Sequence, residues 1–302
     1  MSPPDHLQRF HFRGQAVRGQ LVVLDQTLAE LKRRRDYPKA IGALLGEMLA
    51  AVAMIADGLK WPGSVALQSK GKGAIRTSLA EHRPGGLLRA IARAAEEPQP
   101  GIDLNASSAR DLIGGDQLAL SLIPADDDEY GRPYQGMVDW QHDDLADNLM
   151  AYFAASEQLE TRFVLFADAT QARGLLLQRL PNPSNASYVA EAEADEFWIE
   201  LCLRLQTLKP PELGFDDNHR FLRNLFAPSD LILAPQKTLE FCCTCTREKT
   251  ANILRGLGKA DLLALLEERG EVEVICEFCG LAYRFDHLQT HLLFEADTPT
   301  RH

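Results

Sequence analysis

Five of the six cysteines, Cys242, Cys243, Cys245, Cys276 and Cys279, lie in the last 61 of the 302 residues; the sixth is Cys202. The start of the chain, Met1-Ser2-Pro3-Pro4-Asp5-His6, lacks a basic stretch followed by an apolar core, so no signal peptide and a cytoplasmic location are expected. In that setting, clustered cysteines point to metal or redox chemistry rather than to a disulfide scaffold. Cys243-Thr244-Cys245 is followed after 30 residues by Cys276-Glu277-Phe278-Cys279. Two close pairs that converge give tetrahedral sulfur coordination, which suits one four-thiolate Zn²⁺; an iron–sulfur cluster is the less favoured occupant. Gly280, directly after the second pair, supplies the tight turn of a metal knuckle.

The first half of the ligand set stays open at this level. Cys242 and Cys245 also form a C-x-x-C pair, so Cys242 could replace Cys243. His287 and His291 have helical i,i+4 spacing and could complete a two-Cys two-His site. Only seven residues separate Cys279 from His287, shorter than a usual finger, and a surface helix is the expected role of that segment. Four protein ligands leave no open position for water or substrate, which argues against zinc catalysis. The static reading is a permanent structural zinc. The dynamic reading is a redox switch, because bound cysteines are thiolates and thiolates are what peroxide attacks. Structural zinc supplies on the order of 10–16 kcal/mol of apparent binding energy, against a domain stability of ~5–15 kcal/mol, so a small module that loses it unfolds unless disulfides replace its support.

Upstream, the periodicity predicts an α+β core over residues 1–181. Leu24 to Arg35 reads as a helix with Leu24, Leu28 and Leu31 on one face, its basic end Lys32–Arg35 a solvated C-terminus. Ala40 to Ala56 is apolar or small except for Glu47, at the short limit of a membrane span, and is expected to be a buried core helix. Ser64–Gln68 and Ala74–Leu79 read as strands around a Gly71-Lys72-Gly73 turn that lacks the spacing of a phosphate loop. Gln117–Ile123 and Tyr134–Trp140 form a second pair across Asp126-Asp127-Asp128-Glu129. Asp144–Phe153 is helical, Phe163–Phe166 and Leu175–Leu180 are strands, and Leu87–Ala94 fits either type.

Residues 182–240 change character after the breaker cluster Pro181–Asn185. Glu191 to Leu208 is an amphipathic helix carrying Phe197, Trp198, Ile199, Leu201, Leu203, Leu205 and Leu208, and Asn218 to Phe226 is a shorter one. Two short helices cannot bury such faces alone and must dock on something: either a permanent subdomain or a conditional surface. Cys202 on the first helix is expected as a small buried side chain. From residue 241 the tail reads as a zinc module: helices Lys249–Leu257 and Lys259–Glu268, a strand Glu271–Ile275 and its hairpin partner Leu281–Phe285. A module of this size is marginal without a metal or a staple.

These residues give the chain a family resemblance. Cys243-Thr244-Cys245-Thr246-Arg247-Glu248 and Gly270 through Gly280 resemble the paired-cysteine tail of the 33 kDa heat-shock protein family, the redox-regulated holdase chaperones. So do the core stretches Ala16–Gly19, Asp36–Pro38, Tyr134–Gly136, Tyr152–Phe153, Ser156–Thr161 and Leu176–Pro181. The resemblance implies an α+β core, a metastable helical linker and a zinc domain, at 1–181, 182–240 and 241–302. It implies zinc on Cys243, Cys245, Cys276 and Cys279 in a reduced, inactive form. On oxidation it implies the disulfides Cys243–Cys245 and Cys276–Cys279, zinc release, linker unfolding, dimerisation and ATP-independent holding of unfolding client proteins. Cys242 is additional to the family pattern and is a competing thiol.

Two rivals belong to other classes. One is a static zinc module that recognises RNA or a protein. With Lys plus Arg at 32 against Asp plus Glu at 43, a formal charge of −11 disfavours nucleic acid and anionic membranes as partners. The other is a thiol-disulfide oxidoreductase using Cys276 and Cys279, disfavoured because the metal captures both thiols. No esterase, zincin or dinucleotide fingerprint occurs, so a non-enzyme is expected.

Overall fold

A computed structural model describes residues 4–59, 63–95, 101–115, 117–125, 132–181, 188–213 and 217–295. Close contacts divide the chain into two units, Met1–Cys242 and Cys243–His302. The first begins with β1 (His6–Phe12), β2 (Val17–Val23), α1 (Asp25–Arg34), α2 (Lys39–Gly58), β3 (Ser64–Lys70), β4 (Ile75–Arg83) and β5 (Leu87–Ala94). It continues with α3 (Ala109–Ile113), β6 (Gln117–Ile123), β7 (Tyr134–Asp139), α4 (Leu145–Ser156), β8 (Thr161–Ala167) and β9 (Ala172–Arg179). Then come α5 (Tyr188–Thr207), a 3-10 turn (Pro210–Leu213), α6 (Asn218–Leu225), and three short strands, β10 (Leu231–Leu233), β11 (Lys237–Thr238) and β12 (Glu240–Phe241). The second unit holds α7 (Arg247–Leu257), α8 (Lys259–Arg269), β13 (Val272–Ile275), β14 (Ala282–Phe285) and α9 (His287–Glu295). The architecture is α+β, as expected. The expected turn Asp126–Glu129 and most of the breaker cluster lie outside the described residues.

The first unit has two sheets. One runs β10-β1-β2-β9-β8, with β11 also on β1; the other runs β12-β5-β4-β3-β6-β7. All pairings are antiparallel except that of β12 with β5. The α2 helix lies between them. Leu45, Leu49, Val52 and Met54 are fully buried with Leu7 and Val22 of the first sheet and Leu67, Ala80 and Leu88 of the second. It is apolar enough to cross a bilayer, yet 78% of its most apolar window is buried in the fold, as a core helix requires. Leu87–Ala94, undecidable by periodicity, is a strand because β4 and β12 flank it on both sides.

The first sheet is apolar on both faces. Leu7, Val22 and Leu176 face α2; Phe10, Phe12, Val17, Leu21, Leu175 and Leu177 face the other way. That second face is covered by Trp198, Leu201 and Leu205 of α5, Leu213, and Phe221, Leu222 and Phe226. Phe12 meets Phe197 at 5.2 Å and Phe226 at 5.3 Å, both edge to face. Gly19 pairs with Phe10, whose ring occupies the space any Cβ would need. Polar contacts rim the interface: His6 Nε2 and Asn218 Nδ2 stand 2.7 Å apart, and His219 Nε2 and Gln8 Oε1 3.1 Å apart. Cys202 sits half-buried beside this cluster, and burial pushes its thiol up. Ile199 and Leu203 of the same helix turn to solvent, at 58% and 56% exposure.

The chain then returns to both sheets as a strap. β10 and β11 add to β1, and β12 adds to β5. Asp57, at the end of α2, binds it from below: its carboxylate accepts from Arg9 and Gln20 and, at 2.7 Å, from Lys237. Phe241 packs under Arg34, 5.1 Å from guanidinium to ring. The Cys242 amide donates to the Leu88 carbonyl at 2.8 Å.

The carboxyl of Glu47, the lone charge of α2 between Ala40 and Ala56, has its pKa raised to about 7 by burial and by Asp144. A carboxyl raised from 4.5 is favourable to the fold while protonated, so stability falls as pH rises from about 4.5 to about 7. Glu47→Gln removes that slope: thermal unfolding is expected to match wild type at pH 4 and to show a gain on the order of 3 kcal/mol at pH 8. A variant no more stable at pH 8 would contradict the assignment.

Candidate metal centre

The second unit is small. Its core is Ala251, Leu254, Leu262, Leu266, Val272, Tyr283, Phe285 and Leu293, with Cys245 and Cys276 packed against it. Two local devices bring the cysteines to that core. Thr246 caps α7, its hydroxyl accepting from the Lys249 amide at 3.1 Å, which fixes the turn directly after Cys245. On the other side the β13–β14 hairpin is closed by Cys276-Glu277-Phe278-Cys279-Gly280. The Gly280 amide donates to the Cys276 carbonyl at 2.7 Å, and the Cys276 amide to the Leu281 carbonyl at 2.9 Å. Gly280 has φ 71°, a conformation that favours glycine, as its place after the pair suggested.

The sulfurs of Cys243, Cys245, Cys276 and Cys279 all lie within 4.8 Å of one another. Cys243 and Cys276 approach to 3.6 Å, Cys245 and Cys279 to 3.3 Å. A tetrahedral zinc with Zn–S bonds of about 2.3 Å needs sulfurs about 3.8 Å apart, so the donor set and its spacing fit that ion. Among the described residues this is the one group of three or more His, Cys, Asp or Glu side chains with converging donor atoms. Cys242 is outside it. Backbone pairing with Leu88 ties Cys242 to the first unit, and Cys243 opens the second. His287 and His291 are exposed on α9 and are also outside the group.

The site's electrostatics suit a cation. Burial pushes the Cys243 and Cys279 thiols up; hydrogen bonds with Cys245 and Cys276 add to this at Cys243 while that with Cys279 opposes it, and at Cys279 all three neighbouring sulfurs add to it. Burial would also raise Cys245, but hydrogen bonds from Tyr283 and the other three thiols outweigh it and lower it to about 7. Tyr283 Oη donates to Cys245 Sγ at 3.2 Å, and that bond pushes the phenol up to about 12. Four thiolates so close cannot all ionise against one another; a coordinated divalent ion deprotonates them together. Tyr283 was not legible from spacing. Only its alternation with Phe285 in a short strand hints that it faces inward.

The fold and the site define an α+β protein with a C-terminal four-cysteine, metal-competent module. A family model described as Hsp33 protein matches residues 5–286. The 33 kDa chaperonin of Azotobacter vinelandii is 41% identical, with all of both chains covered, and that of Ectopseudomonas mendocina is 39% identical over 99% of each. The crystal structure of the 33 kDa chaperonin from Thermotoga maritima has the same fold, with TM-score 0.74 over 96% of this chain and 98% of that one, at 20% identity. The chain belongs to the Hsp33 family.

Removing a ligand should abolish metal binding, and removing Cys242 should not. Elemental analysis of reduced protein is expected to give one zinc per chain for wild type and Cys242→Ser, and close to none for Cys243→Ser. The reverse pattern would assign Cys242 as the ligand.

Proposed function

We propose that this protein is a redox-regulated, ATP-independent holdase of the cytoplasm that binds unfolding proteins and keeps them from aggregating. The grouping of Cys243, Cys245, Cys276 and Cys279 in a member of this family carries the reading. In the reduced form these four thiolates hold one zinc ion, which supplies the cross-link that a small module lacks. Disulfides cannot serve as those ligands, so oxidation to Cys243–Cys245 and Cys276–Cys279 frees the ion and withdraws the cross-link. The closest sulfur contacts run across the two motifs rather than within them, so this pairing rests on the family resemblance alone.

The division into a core at 1–181, a linker at 182–240 and a zinc module at 241–302 gives the switch its output. The linker helices cover one apolar face of the first sheet. Melting the module frees the end of the strap at Cys242, and the cover loosens. Exposed Phe10, Phe12, Leu175 and Leu177 and the apolar sides of the helices then offer what an unfolded client seeks, since burial of apolar area is non-directional and needs no particular sequence. The same exposed surface accounts for a dimer in the oxidised form. No step calls for a catalytic group, and the acidic balance of −11 speaks against nucleic acid as the client.

Light scattering of a heat-unfolded client tests the whole reading. Suppression is expected after warm peroxide and absent in reductant, together with a change from one zinc and four protected thiolates to no zinc and two disulfides. Equal suppression in both states would remove redox control; suppression in neither would remove the chaperone role. The cover can be loosened without touching sulfur. Phe12→Ala costs ~3–5 kcal/mol at a packed site and is expected to raise apolar-dye binding by reduced, zinc-loaded protein. Dye binding equal to wild type would show that the cover does not depend on this face.

A further inference from the structure

Tyr283 stands in β14 opposite Val274 of β13, and Phe285 stands opposite Val272. Both aromatic rings belong to the module's core, with Tyr283 9% exposed. Phe285 fills its place with no hydroxyl, so packing does not demand one two residues earlier. A buried phenol needs a hydrogen-bond partner. That of Tyr283 has one in Cys245 Sγ, at 3.2 Å, and its O–H is the donor. The cysteine it touches also lies against Cys279, at 3.3 Å.

We propose that Tyr283 is a positioning residue for the sulfur chemistry: its hydroxyl holds the Cys245 thiolate in place as a ligand and shields it from oxidants. The proposal deepens the functional reading and rests on those four cysteines being zinc ligands. The chemistry it restrains is peroxide oxidation. A thiolate lone pair attacks one oxygen of the peroxide; an S–O bond forms, the O–O bond breaks and hydroxide leaves. A second thiolate attacks the resulting sulfenic sulfur; an S–S bond forms, the S–O bond breaks and a second hydroxide leaves. Two thiolates lose two electrons and one peroxide gains them. The first step spends charge on sulfur. A hydrogen bond to thiolate is charge-assisted and is lost as that charge disappears, so it stabilises the starting state more than the transition state. The same bond orients Cys245 toward the metal, the task of outer-shell partners in metal sites.

The test compares full-length wild type with Tyr283→Phe, which keeps the ring and its packing and lacks only the donor. Zinc per chain at saturation is expected to stay at one. Affinity is expected to fall about tenfold or more, as loss of an outer-shell partner does. Zinc release under a fixed peroxide concentration, read with a colorimetric chelator, is expected to speed up several-fold. In the cobalt-loaded protein the sulfur-to-metal charge-transfer band is expected to move to longer wavelength, because Cys245 becomes a stronger electron donor. A ring that only fills space would move none of these. A fluorotyrosine at 283, a stronger donor, is expected to slow release and shift the band the other way, and it serves if the Phe variant does not fold. Wild type and variants that share one release rate and one band position would overturn the role of Tyr283 alone. A wild type that takes up neither zinc nor cobalt would overturn the ligand reading, and this proposal with it.

Discussion

Sulfur atoms crowded within 4.8 Å are the constraint on which the rest of this molecule turns. The apolar core of the second unit is too small to hold such a module together unaided. As neutral thiols the four cysteines contribute only weak contacts, and as thiolates they repel. A divalent ion held by the four sulfurs would convert that repulsion into a cross-link of the module. On the function proposed above, the arrangement is conditional, persisting only while the sulfurs remain reduced.

A conditional module matters because of what its first residue continues from. Cys243 follows a strap whose strands β10, β11 and β12 are three, two and two residues long. Strands this short have little cooperativity of their own and depend on side contacts such as Lys237 on Asp57 and Phe241 under Arg34. The two covers of the first sheet differ in the same sense. On one face α2 is locked between two sheets, with Ala50, Ala51 and Ala53 fully buried. On the other, α5 and α6 are single helices with one wet side, and Ile199 and Leu203 are already in solvent. The first cover is buried on all sides and the second is exposed on one.

The parts most visible in the sequence were those with strong local signals. The cysteine pairs, Gly280 after the knuckle, the apolar run of α2 and the hairpin strands each follow from spacing or periodicity. β1 escaped because two residues on its linker-facing side are His6 and Gln8, polar yet buried, which meet Asn218 and His219 from more than two hundred residues away. The strap strands escaped because segments of two or three residues carry no period. Leu87–Ala94 could be settled only by its neighbours, since a short apolar run is compatible with helix or strand. Spacing alone favoured Cys243 but left open that Cys242 could replace it. In the fold the Cys243 sulfur converges with those of Cys245, Cys276 and Cys279, whereas the Cys242 amide donates to the Leu88 carbonyl.

The central claim is that metal in the tail keeps the linker helices down on the sheet. Amide hydrogen exchange of fully reduced protein, followed before and after zinc is withdrawn by a chelator, tests this with no oxidant present. The account predicts that α5 and α6 lose protection along with α7 to α9, while α2 keeps its own. A tail that loses its metal and its protection while α5 and α6 stay fully protected would contradict it.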